Sequence, residues 1–473
     1  MKWSSSILLI ISLLCCNCLF SQPSNNLNIQ HLVDMPMSCG SIPMTMAHDA
    51  LGRNYLYVAQ KAGGLTVYDI ANPNTPFIVD SIPINDLDTM DVMSLTQKGN
   101  YLYLALGNFF NGGSQYSGIA IIDVTTPTSI SVTDLWKNPT PGQGAGFVGL
   151  EGDYAYLAAM GNGLIIFDVS DKNNITFLSQ IVPSINFPDP SPDPNKYNAR
   201  GMAVKNDIVY LAYDAGGLRI INTTDKMNPV QTGQYSLPAL NGKPRAYNNI
   251  ILDDSLVYVT IDYCGLEVLN INDTANITQV GWWNPWGCPS NNWFTSPGHT
   301  NELAYDKNCG VLFMSTGKSE MYVVDISNPS QPDSITVYGN TSNNLGTWGV
   351  SQYNNQLFLS YICTFGIPFP GNWAGVKILS YDNNCSTGIN TNTKNKKIKI
   401  FPNPSTDKIS IDFGSNDLTE AYYQIVNSLG EIVVTQSITS QQQTVNLSPF
   451  PQGIYIATFF NKTEREVIKL IKK

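Results

Sequence analysis

Apolar positions along this chain fall in short runs broken by Gly, Pro, Asn, Ser and Thr. That pattern predicts many short strands joined by turns rather than long exposed helices. One run, GGLTVYDIANPNTP at 63–76, returns in altered form as SGIAIIDVTTPTSI, NGLIIFDVSDKNNI, GGLRIINTTDKMNP, CGLEVLNINDTANI, SEMYVVDISNPSQP and AGVKILSYDNNCST. A second apolar run precedes each copy (NYLYVAQ, NYLYLAL, DYAYLAA, DIVYLAY, SLVYVTI, GVLFMST, QLFLSYI), and a smaller one precedes that. After the core run comes a fourth, such as PFIVDSIPI or ITFLSQIVP. Each unit therefore reads as four strands, a to d. The equivalent positions Asp69, Asp123, Asp168, Asn222, Asn270, Asp325 and Ser380 lie 45 to 55 residues apart, the length of one four-stranded propeller blade. Seven units predict an all-β, seven-bladed β-propeller.

The seventh unit ends at its c strand, AGVKILSYD, without a d strand. A spare run, NLNIQHLVDMP, lies ahead of the first a strand. Residues 28–35 are therefore expected to pair with 375–381 and close the ring, removing two free sheet edges. The recurring Asp or Asn at the end of strand c invites a ring of metal ligands. The turn sequences that follow it favour a cap on backbone N–H groups instead.

The core run, of the form GLxIIDVSxPxxP, resembles the LVIVD repeat, a propeller repeat of secreted and cell-surface proteins. The resemblance spans 28–383, is clear in units one to three and six, and implies a propeller without implying a reaction.

Beyond Asn383 the chain turns polar (NCSTGINTNTKNKK), a linker over 384–397. Over 398–473 it alternates again between apolar strands and Gly or Pro turns, which predicts a small C-terminal β-sandwich. There FPNP, NSLGEIV, LSPFPQGIYI and the terminal KLIKK resemble, in order, the motifs of the C-terminal sorting domain of type IX secretion substrates. The resemblance implies the type IX machinery as a partner, passage across a Gram-negative outer membrane, and release or attachment at the cell surface.

The N-terminus agrees with export. One Lys, an apolar stretch from Ile7 to Leu14 and polar residues before Gln22 read as a signal peptide over 1–21. Cys15, Cys16 and Cys18 lack the preceding small residues that lipid attachment needs. No later segment is apolar enough to cross a membrane as a helix. Charge excludes further classes. Between 22 and 383 stand 15 Lys and Arg against 29 Asp and Glu, a net −14, so bulk electrostatics oppose nucleic acid and anionic membrane. Six cysteines remain in the exported chain, none at CxxC spacing, and only three His occur in the whole sequence; no metal or cofactor is expected.

Strand order sorts the connections. The b–c and d–a connections share one face and hold every long insertion; the a–b and c–d turns share the other and are short. Cys264 and Cys288 both fall on the long-loop face around blade five, and Cys39 and Cys363 flank the closing strand, so these form the expected disulfides. Cys309 and Cys385 belong to the opposite face, and the sequence leaves their fate open. The long loops carry Phe109, Phe110, Tyr116, Trp282, Trp283, Trp286, Trp293, Phe294, Phe365, Phe369 and Trp373. Such rings serve either sugar stacking or peptide binding, or pack on one another to hold the loops. Asp91, Arg200, Arg245, His299 and Glu302 fall near the channel mouth, open to a carboxylate or phosphate ligand or to hydrogen bonding among themselves. His299 and Glu302 offer a base and its partner. Asp189 and Asp193 are too few carboxylates for Ca²⁺. No GxSxG, HExxH or paired-carboxylate motif is present. The expected function is a secreted binding or scaffold module with a glycan or protein ligand on its loop-rich face; the alternative is a hydrolase or lyase at the channel mouth.

Overall fold

The computed structural model describes residues 27–382 except 112–113, 291–292 and 366–369, and residues 398–473 except 414–417, 419–420, 428–430 and 461–464. The signal peptide, the linker, Cys385 and Phe369 lie outside the described residues.

Seven four-stranded antiparallel sheets form the blades. Blade one runs Met46–His48, Tyr55–Ala59, Leu65–Asp69 and Phe77–Ile82, from the inner strand a to the outer strand d. Burial explains the order. Strands b and c, YLYVA and LTVYD, are apolar on both faces and buried almost throughout, whereas strand d alternates and is largely exposed. In blades one to six the c–d pairing slips at one bulge, as between Val67 and Tyr68, which bends the outer strand.

Two features of the repeated run are now explained. Its glycine opens strand c at positive φ (Gly64 81°, Gly163 71°, Gly217 78°, Gly265 80°), and a Cβ there would stand 2.0–2.3 Å from the carbonyl oxygen closing strand d. Its Asp or Asn caps the turn. Asp69, Asp123, Asp168, Asn222, Asn270 and Asp325 each accept the backbone N–H two residues on, at 2.7–2.9 Å.

The ring closes as the missing strand requires. Ile29–Met37 pairs antiparallel with Ala374–Tyr381 and becomes strand d of blade seven, with Ile29 opposite Tyr381 and Met37 opposite Ala374. Cys39 and Cys363, bonded with Cα atoms 5.4 Å apart, lie just past the clasp, and Cys264 is bonded to Cys288 with Cα atoms 5.1 Å apart. Cys309, whose fate the sequence left open, is disulfide-bonded too. The bond ties down an a–b hairpin, a connection whose tight turn gave no sign of needing one. Neighbouring blades are latched by polar bonds: Asp80 and Asp134 on d strands accept the N–H groups of Ile130 and Ile175 in the next blade, at 2.7 and 2.6 Å.

The chain divides into two units, Met1–Cys385 and Ser386–Lys473. The second is a β-sandwich. Its sheets run Lys399–Phe401, Lys408–Asp412, Gln442–Asn446 and Ile432–Ser437, Tyr422–Val426, Gly453–Phe460, Arg465–Lys472. They share a core of Ile409, Ile411, Phe413, Tyr423, Ile425, Phe459 and Leu470. No described helix is long and apolar enough to cross a membrane.

Candidate functional site

The seven a strands start at the long-loop face and run down the channel. At that face the channel is stoppered. Met44, Met93, Phe109, Met160, Trp348 and Ile362 form one buried apolar cluster, drawn from blades one, two, three and seven. Phe110 stands on the stopper, 4.5 Å from Phe109 and edge-on to Trp348 at 5.1 Å between centroids.

Charge gathers around it. Lys61 Nζ lies 5.1 Å from the Phe110 centroid, and the Arg200 guanidinium 5.5 Å from that of Phe109. Arg200 Nε is 3.5 Å from Asp214 Oδ2, which also accepts the Asn198 amide at 2.9 Å. Burial raises the Asp214 pKa against the pull of Arg200. Burial likewise raises the pKa of Asp91 and lowers that of Lys61, and each charge partly offsets the shift of the other. Asp91 and Arg200 thus stand with Lys61, Phe110 and Trp348 at the mouth. Sequence reasoning missed Lys61, Trp348 and the methionines. The stopper residues are scattered over blades, and nothing local marks them.

The other candidates are placed elsewhere. Arg245 is buried, ion-paired to Asp189 at 2.6 Å, and donates to the carbonyls of Ala215 (2.7 Å), Leu240 (2.8 Å) and Lys243 (3.2 Å), so it braces its loops. His299 is fully buried; its Nδ1 lies 2.5 Å from Asp262 Oδ1 and its ring stands edge-on to Trp293. Glu302 takes its hydrogen bond from the Asn249 amide, and burial pushes its pKa up to about 7. The expected base-and-partner pair therefore has two different partners: a buried aspartate for the histidine and a channel-wall amide for the glutamate.

The rings divide the same way. Trp286 packs with Trp283 and Tyr322 at 5.5 and 5.7 Å, Trp293 against Tyr263 at 5.1 Å, and Trp373 edge-on to Tyr361 at 5.2 Å. Phe110, Tyr116 and Phe294 stay exposed, at 42%, 40% and 61%.

Below the stopper the channel continues as a cavity of about 340 Å³. Glu302, Thr45 and Phe147 line both it and the space above.

Residues 50–82, 144–181 and 312–340, in blades one, three and six, match the LVIVD repeat. Residues 399–473 match the secretion system C-terminal sorting domain. The chain carries LVIVD repeats in a β-propeller and a type IX sorting domain. The sorting domain marks this LVIVD-repeat propeller for export to the cell surface or the extracellular space, by way of the type IX machinery. No curated protein matches the sequence. Among solved structures it is similar to a chain of the mitotic checkpoint complex (TM-score 0.51, 10% identity, covering 80% of this chain and 99% of that one). It is also similar to the RRP9 WD40 repeats (TM-score 0.54, 9% identity, covering 75% and 100%). At such identities the likeness is one of fold, the propeller.

Proposed function

We propose that this LVIVD-repeat propeller is an exported binding module that holds its ligand on the long-loop face. The observation that carries this reading is the division of the loop aromatics: most are buried or half-buried against neighbouring rings, while Phe110, Tyr116 and Phe294 expose 42%, 40% and 61% of their surface. Exposed rings on the loops of a propeller face suit stacking on a carbohydrate. Lys61 beside Phe110 and Lys137, 5.0 Å from the Tyr116 centroid, add donors for hydroxyl or carboxylate groups. In this reading Asp91, Arg200 and Phe294 belong to the contact surface, and Arg245, His299, Trp286, Trp293 and Trp373 hold the loops that present it. Residues 22–383 form the binding module, 384–397 the linker and 398–473 the address. The other class, a hydrolase or lyase at the mouth, needs a base oriented by a partner in reach of substrate; His299 is shut in and Glu302 lies beneath the stopper.

The test is a combined glycan and peptide array probed with the exported chain and with a Phe110→Ala, Phe294→Ala double variant. We expect carbohydrate spots that weaken about tenfold in the variant, as the loss of two stacking contacts implies. Retention of every signal by the variant refutes the site, and signals on peptides alone refute the carbohydrate.

A further inference from the structure

One place in the repeat carries different chemistry in different blades. Lys61, Met160 and Asp214 each stand two residues past strand b, in the left-handed region at φ 47°, 48° and 49°. Side chains seldom adopt that conformation unless their surroundings hold them in it. Here each is clasped to the entry of the next blade's strand a: Lys61 to Val92, Met160 to Ala199 and Asp214 to Tyr247. The clasp brings this residue to the channel mouth, where Met160 enters the stopper.

Around Lys61 the groups are within reach of one another. Its partner in the clasp, Val92, directly follows Asp91. Asn108 lies against Asp91 and accepts the Phe110 N–H at 3.0 Å. Lys61 Nζ returns to the Phe110 ring at 5.1 Å, and Arg200 stands on Phe109, the next ring. Lys61 and Asp91 are half-buried, the Arg200 side chain is 25% exposed, and Phe110 is open to solvent. The two cations have donors to spare. Arg53, Arg219 and Arg245 each reach at least three acceptors. Among the described residues the Lys61 ammonium has no acceptor, and Arg200 has only the 3.5 Å pair from Nε to Asp214.

Charge decides what fills them. Lys61 and Arg200 are matched by Asp91 and Asp214, so the mouth is neutral, inside a propeller body of net −14. An acidic ligand adds a third negative charge to the mouth and meets the repulsion of the body. A cationic ligand meets the ammonium and the guanidinium. An apolar one leaves their N–H groups unfilled. A sugar hydroxyl both donates and accepts, and the C–H face of the same ring suits an aromatic. We propose that the mouth selects uncharged glycans, with neighbouring hydroxyls bridging Lys61 and Asp91, Phe110 against the sugar ring and Arg200 donating to a further sugar oxygen. The proposal rests on the carbohydrate reading and narrows it to a class.

An array of neutral, uronate-bearing, sulfated and amino-sugar oligosaccharides, probed with the full exported chain, tests it. We expect signal on neutral glycans alone, changed less than about twofold when NaCl rises from about 0.1 to about 1 M, since an uncharged ligand gives salt nothing to screen. Lys61→Met is expected to weaken that signal about tenfold, as loss of a charged hydrogen bond implies. Met160 shows that the clasped turn accepts methionine. Asp91→Asn makes the mouth one charge more positive and is expected to raise the uronate signal relative to the neutral one, which a merely structural role would not do. Signal confined to acidic or amino-sugar glycans, an unchanged uronate-to-neutral ratio in Asp91→Asn, or undiminished binding by a Lys61→Met variant shown to be folded by circular dichroism overturns this proposal and leaves the carbohydrate reading standing. Absence of signal on every glycan overturns both.

Discussion

Glu267 sits in strand c of blade five with no solvent exposure, accepting hydrogen bonds from Tyr235 (2.7 Å), Tyr247 (3.1 Å) and the Gln279 amide (3.0 Å). Burial is the largest influence on it and pushes its pKa from 4.5 to about 7, against the pull of those three donors. The folded state therefore binds a proton that the unfolded chain releases. Stability is highest below pH 4.5 for this group and falls as pH rises through about 7. The full loss corresponds to about 3 kcal/mol, of which about 2 kcal/mol falls between pH 5.5 and 8.5. Glu267→Gln keeps the shape, removes the charge and cancels that slope. The assay is denaturant unfolding followed by tryptophan fluorescence at the two pH values, disulfides intact. The wild-type chain is expected to lose about 2 kcal/mol more than the variant between them. Glu302, with the same raised pKa, adds its own loss to both chains and so drops out of the comparison. Equal pH dependence in the two chains refutes a buried, protonatable Glu267.

Two further outcomes follow from the closure and the address. Deletion of 27–37 should lower the unfolding midpoint of the whole propeller and expose the last strand, and non-reduced peptide mapping should find Cys39–Cys363, Cys264–Cys288 and no free thiol at Cys309; an unchanged midpoint or an alkylated Cys309 contradicts the structure. Removal of 398–473 should strand the chain in the periplasm with inner-membrane export intact, and its normal appearance outside the cell refutes the sorting role.

What the sequence disclosed and what it concealed differ in range. Blade number, strand order, the clasp and the turn caps are properties of runs that repeat every 45 to 55 residues, and each repeat is an independent reading of the same local physics. The glycine of the repeated run is a case: its need is set by one carbonyl in the same blade. The stopper is the opposite case. Met44, Met93, Met160 and Trp348 touch only because the ring has closed, and 304 residues separate the first from the last (348 − 44). Polar partners show the same limit. His299 and Glu302 are three residues apart in sequence, which made them look like a pair. Both precede strand a of blade six, however, and His299 meets Asp262 of blade five while Glu302 lines the channel. Arg245 reached the channel mouth in sequence space, yet its guanidinium turns to Asp189, 56 residues earlier, on a loop whose length alone gave no hint of where it lies. The local code thus builds the blades almost unaided. The chemistry lies in the contacts between blades: an apolar stopper, charges and rings above it, and a carboxylate held by a channel-wall amide below. A ring of near-identical units brings unlike side chains together because closure, and not the repeat, decides which of them meet.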